Sequence, residues 1–183
     1  MTMFNLPRSD IARMRALSKD VRRAGVLSVA AAFCNPRLCP AMLIRLAYWF
    51  AHHRLGVFAR VVAALNLALF GIEVSPRIEI GEGLFLPHTS GTVIGAARIG
   101  RNVTIFQGVT LGAKELDMHF AAELRPTIED DVVIGAGAKV LGGVRVGVGA
   151  RIGANAVVLH DVPAGATAVG VPAQITPRAE SVE

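Results

Sequence analysis

Residues 83 to 95 read GLFLPHTSGTVIG, and this run of glycines and aliphatics is interrupted by one histidine, His88, set between Pro87 and Thr89. Imidazole has an ordinary pKa of about 6.5, so it takes and returns protons near neutral pH. A hydroxyl is a poor nucleophile until a base removes its proton, and His88 is of the type that does this work. The other histidines define a competing chemistry. His88, His119 and His160 lie in or near the same half of the chain, and three histidines from neighbouring faces could bind one zinc ion. Their spacing lacks the close pairing such a site favours, and no metal is expected. Cys34 and Cys39, in CNPRLC, are too few for a disulfide framework and have no second pair for zinc. They are expected to be reduced, buried thiols.

The elements that must hold His88 are legible as a period. From Ile128 the chain divides by sixes into IEDDVV, IGAGAK, VLGGVR, VGVGAR, IGANAV and VLHDVP, with an aliphatic first in every row and valine or alanine fifth. Six is not a multiple of 3.6, so Ile128, Ile134, Val140, Val146, Ile152 and Val158 cannot share one side of an α-helix. They can share the inside of a coil, in which each row is a short strand plus a corner and three rows close a triangular turn. The same register is read into IEIGEG and LFLPHT from Ile78 and Leu84, and resumes at Ile99, Ile105 and Leu111. Leu86 and Ile99 are separated by 13 residues where 12 would keep step, which predicts a one-residue slip beside His88. Leu111 and Ile128 are separated by 17, so AKELDMHFAAEL is expected to leave the coil as a loop and to serve a site.

The 183 residues suffice for one domain with an appended subdomain. The division expected is a helical subdomain over 1–71, a β-helix over 72–175 with an excursion at 112–127, and a tail over 176–183. Hydrophobic residues reach 52% and charged residues only 18%, which suggests apolar surface buried between subunits. A net charge of +5 would suit a polyanion, but the basic N-terminal region has few aromatics and no nucleic-acid motif, so no nucleic acid is expected. Arg45, His52, His53, Arg54 and Arg60 interrupt the apolar stretch before Gly71, which reads as two helices broken near Gly56 rather than a membrane span. Peripheral membrane contact is a minor alternative, and the polar N-terminus points to the cytoplasm.

The string FGIEVSPRIEIGEGLFLPHTSGTVIG, followed by IFQGVTLG, GAGAKVLGG and GVPA, resembles the serine acetyltransferase family of left-handed hexapeptide acyltransferases over residues 40 to 175. Polysaccharide O-acetyltransferases of the colanic-acid type are similar over the same stretch. The resemblance implies a mainly β, left-handed parallel β-helix, a homotrimer with a dimer of trimers through the N-terminal helices as a further assembly, and direct transfer from acetyl-CoA to a hydroxyl. His88 stands where the family has its catalytic histidine, and Glu73 where it has the aspartate that orients that histidine. Glu73 precedes His88 by 15 residues, almost one turn of three sixes. Around the acceptor the chain departs from the family: Pro87 replaces an aspartate, Ser75 a histidine, and the substrate-binding R-H-P reads Leu124-Arg125-Pro126. Arg125 could still bind a carboxylate or sugar oxygen, with His119, Asp117 and Ser75 as further acceptor contacts. These replacements favour an acceptor other than free serine, sugars included, with serine retained as an alternative. Gly112, Ala136, Ala154 and the turn from Gly170 to Ala173 match positions that line the coenzyme groove, with Lys139 or Arg151 toward phosphates. The tail does not end in the isoleucine through which the family is expected to dock a partner enzyme.

Overall fold

The computed structural model describes residues 5–18, 26–117 and 119–177. Four helices come first: α1 (Asn5–Leu17), α2 (Val26–Ala32), α3 (Cys39–His52) and α4 (Gly56–Phe70). The break between α3 and α4 falls at residues 53–55, just before Gly56, near which the residue pattern predicts it. Gly71 ends α4 in the left-handed region (φ 63°), donating its N–H to the carbonyl of Leu67, a conformation that disfavours residues with a Cβ. Among the described residues no helix is long and apolar enough to cross a membrane.

Beyond Gly71 the chain winds in coils. The first holds β1 (Ile72–Val74) and β2 (Glu79–Ile80); the second β3 (Thr92–Ile94), β4 (Arg98–Ile99) and β5 (Thr104–Ile105). The third holds β6 (Thr110–Gly112), β7 (Thr127–Ile128) and β8 (Val133–Ile134), and the fourth β9 (Lys139–Leu141), β10 (Arg145–Val146) and β11 (Arg151–Ile152). β12 (Val157–Val158), β13 (Thr167–Val169) and β14 (Gln174–Thr176) finish the stack. Three faces result. β1, β3, β6, β9 and β12 form the first, β2, β4, β7 and β10 the second, and β5, β8, β11 and β13 the third, closed by antiparallel β14. All other pairings are parallel.

From the third coil onward Ile128 pairs with Val146, Ile134 with Ile152 and Val140 with Val158, eighteen residues apart in each case, so three sixes make one turn. All six of these first-position aliphatics are buried, at 3% exposure or less. The fifth-position residues Val132, Ala138, Val144, Ala150, Ala156 and Val162 are buried beside them, which explains why only small side chains recur there. In the first coil the register differs from the sequence reading. Ile80 pairs with Ile99, so Ile80 and Leu86 hold the first position and Ile78 and Leu84 the fifth; all four are buried, which is why pattern alone could not separate them.

The helices close the open end of the stack. Asp10 is fully buried and accepts from Arg45 Nε (2.8 Å) and Nη2 (2.9 Å) and from the backbone N–H of Leu84 (2.9 Å). Arg45 also donates to the carbonyls of Ile80 and Gly81, both at 2.6 Å, and Ser9 Oγ accepts from the N–H of Gly83 (3.1 Å). Backbone groups of the first coil that face away from the second are thus satisfied by side chains. Burial pushes the Asp10 carboxyl up, against the lowering effect of the Arg45 guanidinium.

Candidate active site

His88 lies at the corner where the third face turns into the first, and the strand register shows what happens there. Phe85 and Val93 are eight residues apart, while their partners in the next coil, Thr104 and Thr110, are six apart. Two extra residues therefore bulge out around His88. Val93 and Arg98 are five apart where the coil below, from Glu73 to Glu79, uses six. The single-residue slip expected from the sequence is the sum of a two-residue bulge and a one-residue shortening. The bulge carries His88 out of the ladder, and its side chain is exposed. Among the described residues no hydrogen bond within the chain occupies either ring nitrogen. The ring lines an open groove of about 770 Å³ with Arg37, Phe70, Ser90 and Gln107.

Above His88 the same corner repeats with small residues. Backbone N–H groups of Gly108, Gly137 and Asn155 donate to the carbonyls of Ser90, Gln107 and Ala136 directly below. The turns of Gly91, Gly108 and Gly137 have φ of 71°, 70° and 73°. A Cβ on Gly137 would collide with the Asn155 side chain. Ala136, Ala154 and Gly170 all fall on this column, two, three and four coils above His88. Four coil steps of about 4.8 Å place Gly170 roughly 19 Å from the bulge. Lys139 projects from the first face and donates from Nζ to the carbonyl of Gly108. Arg151 is exposed on the third face.

Glu73, Gly112 and Arg125 gather elsewhere, along the first face and the corner where it leads into the second. Glu73 is exposed on β1 and lines a groove of about 550 Å³ with Gly112, Phe120 and Arg125. Among the described residues no hydrogen bond joins Glu73 to His88. Their grooves differ, although Phe70 and Gly71, which wall that of His88, precede Glu73 closely.

Arg125 does not present a free guanidinium fork. Nε and Nη2 donate to Asp117 Oδ2 at 3.0 and 2.8 Å, Nη1 donates to the carbonyl of Gly95 (3.0 Å), and the ring of Phe120 stacks 3.9 Å from the guanidinium carbon. This clasp pins the excursion, in which Ala122–Leu124 forms one 3-10 turn, against the coil. Burial by itself would push the Asp117 carboxyl up, but Arg125 and the N–H groups of His119 and Ala121 hold it below its ordinary value. His119 and Ser75 line a further cavity with Arg60 and Arg77.

Two residues of the His88 groove went unassigned in the sequence. Gln107 was visible within IFQGVT as a large polar residue where the stacked rows IGAGAK and IGANAV hold alanine, and its Oε1 is buried without a partner. Arg37 gave no signal, since only the fold brings it here. The cysteines also differ from expectation: Cys34 is exposed in a surface turn and Cys39 is half-buried at the first residue of α3. Among the described residues no three histidines, cysteines or carboxylates cluster as metal ligands. His88, His119 and His160 stand at the bulge, in the excursion and after β12. The tail from residue 178, on which the expectation about partner docking rests, lies outside the described residues.

Residues 125–160 match the family model for the bacterial transferase hexapeptide, six repeats. Fold and repeat together define a left-handed parallel β-helix of the hexapeptide acyltransferase class. The chain is 40% identical to a serine acetyltransferase of Mycobacterium tuberculosis over 88% of its own length and 72% of that protein's. It is 46% identical to a serine acetyltransferase of Helicobacter pylori over 76% of its length and 80% of the relative's. A serine acetyltransferase solved in complex with CoA superposes with a TM-score of 0.79 at 30% identity, covering 95% of this chain and 69% of that one. The chain belongs to the serine acetyltransferase family and is an acyltransferase.

Proposed function

We propose that the chain transfers the acetyl group of acetyl-CoA to the hydroxyl of a small acceptor, with His88 as the general base. The observation that carries this reading is the two-residue bulge, which holds an exposed imidazole at the foot of a column of small residues. The thioester arm lies along that column, past Gly170, Ala154 and Ala136, where backbone groups can approach it closely. Lys139 and Arg151 stand on the faces that flank it. Gln107 and Arg37 complete the groove around the reacting carbonyl. His88 takes the hydroxyl proton as the oxygen attacks the thioester carbon, and returns it to the thiolate when the tetrahedral intermediate collapses. The oxyanion takes a backbone N–H donor from the region of Gly108 to Gly112. Glu73 orients the ring, and the clasped excursion shapes the acceptor groove beside Gly112.

The chemistry needs no metal. The catalytic corner and the groove of Glu73 and Arg125 belong to different parts of the prism surface, and a homotrimer brings such parts of neighbouring protomers together. Serine is the acceptor named by the relatives. A sugar or other non-amine acceptor is favoured by one observation: Asp117, which could have met an ammonium group, is held by Arg125. Acetyl-CoA supply places the reaction in the cytoplasm. The test is thiol release from acetyl-CoA, measured against serine, homoserine, simple sugars and nucleotide sugars. One class should raise release well above the hydrolytic background; release that is independent of every hydroxyl acceptor contradicts the reading.

A further inference from the structure

We infer that the cavity of Arg60, Arg77, His119 and Ser75 binds a phosphate group carried by the acceptor, an inference that rests on the reading of the chain as a hydroxyl acyltransferase. The cavity measures about 470 Å³ and its nitrogen-bearing side chains come from three places: Arg60 from α4, Arg77 from the corner after β1, and His119 from the excursion. No carboxylate lines it. Elsewhere among the described residues Arg45, Arg98, Arg101, Arg125 and Arg145 each lie within 3.8 Å of a carboxylate. Arg60 and Arg77 have no such partner among the described residues. Two guanidinium groups that share a concave, partly apolar surface without a counter-charge repel one another, and an anion between them reverses that sign.

Neutral donors point the same way. Ser75 Oγ accepts from the N–H of Arg77 at 3.4 Å, which leaves its own hydrogen free to donate. Gly56, the first residue of α4, forms part of the wall, where a helix's first N–H groups have no intrahelical acceptor. Two permanent cations match the charge of a phosphate monoester, close to −2, better than that of one carboxylate. Ser75, Pro76 and Phe120 also line the neighbouring groove of Glu73, so a molecule anchored here by phosphate extends its hydroxyl end along the acceptor groove.

Coenzyme A carries phosphate too, and the experiment separates the two sources. Calorimetric titration of the full chain with inorganic phosphate near neutral pH should show saturable binding, roughly tenfold tighter than acetate. The Arg60→Gln/Arg77→Gln double variant should lose about tenfold in phosphate affinity, while Arg98→Gln, on the second face, binds as wild type. Melting curves establish that the variants fold. Absent saturation, acetate binding as tightly as phosphate, or equal affinity in the double variant overturns the proposal. So does displacement of phosphate by CoA but not by dephospho-CoA, which assigns the cavity to the coenzyme; phosphate retained under saturating CoA supports the acceptor. Binding is read without turnover, so a failure here leaves the role of His88 untouched, and a fully active His88→Ala variant would leave phosphate binding unchanged.

Discussion

The proposed mechanism gives His88 and Glu73 different work, and their substitutions should separate it. Glu73→Gln keeps size and hydrogen bonding but removes the charge that orients and stabilises an imidazolium. The expected result is a lower kcat, with little change in KM for acetyl-CoA. A kcat equal to that of wild type would remove Glu73 from the mechanism. The Asp117–Arg125 clasp carries its own pH sign. Because the folded state lowers the Asp117 pKa, its contribution is fully present above the ordinary aspartate value of about 4 and is lost as pH falls through the lowered value. Asp117→Asn should reproduce the loss at neutral pH, seen as several-fold faster tryptic cleavage after the exposed Lys114. His88 was legible because a polar, titratable residue broke an apolar pattern. Arg125 was legible as a residue and not as a contact, since its partner lies eight positions away in a loop whose path no periodicity specifies.

At the scale of elements, the repeat announces its strands because a single requirement, an aliphatic inside every six residues, recurs without exception from Ile128 to Val158. Where the chain departs from that requirement, as around Pro87 to Ser90, counting gives only the net offset, and the strand pairing is needed to resolve it into a bulge and a shortening. The cap on the first coil left no sequence signal at all. Asp10 and Arg45 are 35 residues apart on two helices, and charged residues on helices ordinarily face water. Removing one partner strands a buried charge, so Asp10→Ala should destabilise the fold by about 3–5 kcal/mol in urea unfolding. A joint replacement of Asp10 and Arg45 by apolar residues should cost much less than the single change, and equal losses would contradict the assignment of the pair as a buried cap. Within the prism, Ile134→Ala should cost about 2–5 kcal/mol, since its neighbours are held by backbone ladders and cannot close the cavity.

The whole molecule exposes more apolar surface than one chain needs. Phe58, Val61, Leu65 and Leu69 follow one another along α4 at 47% exposure or more, and only Ala59 and Asn66 of that helix are buried. Sedimentation equilibrium should give the mass of three chains or a multiple of it; a monomer at micromolar concentration would contradict the proposed trimer and with it an active site shared between protomers. The central claim is narrower and is tested most directly at the bulge. The decisive measurement is the rate of acceptor-dependent thiol release by His88→Ala beside wild type, with CoA affinity and melting temperature determined on the same samples. The account predicts a rate lower by about 10²–10⁴-fold at unchanged CoA affinity and unchanged fold. Transfer within a few-fold of wild type by that variant would contradict it.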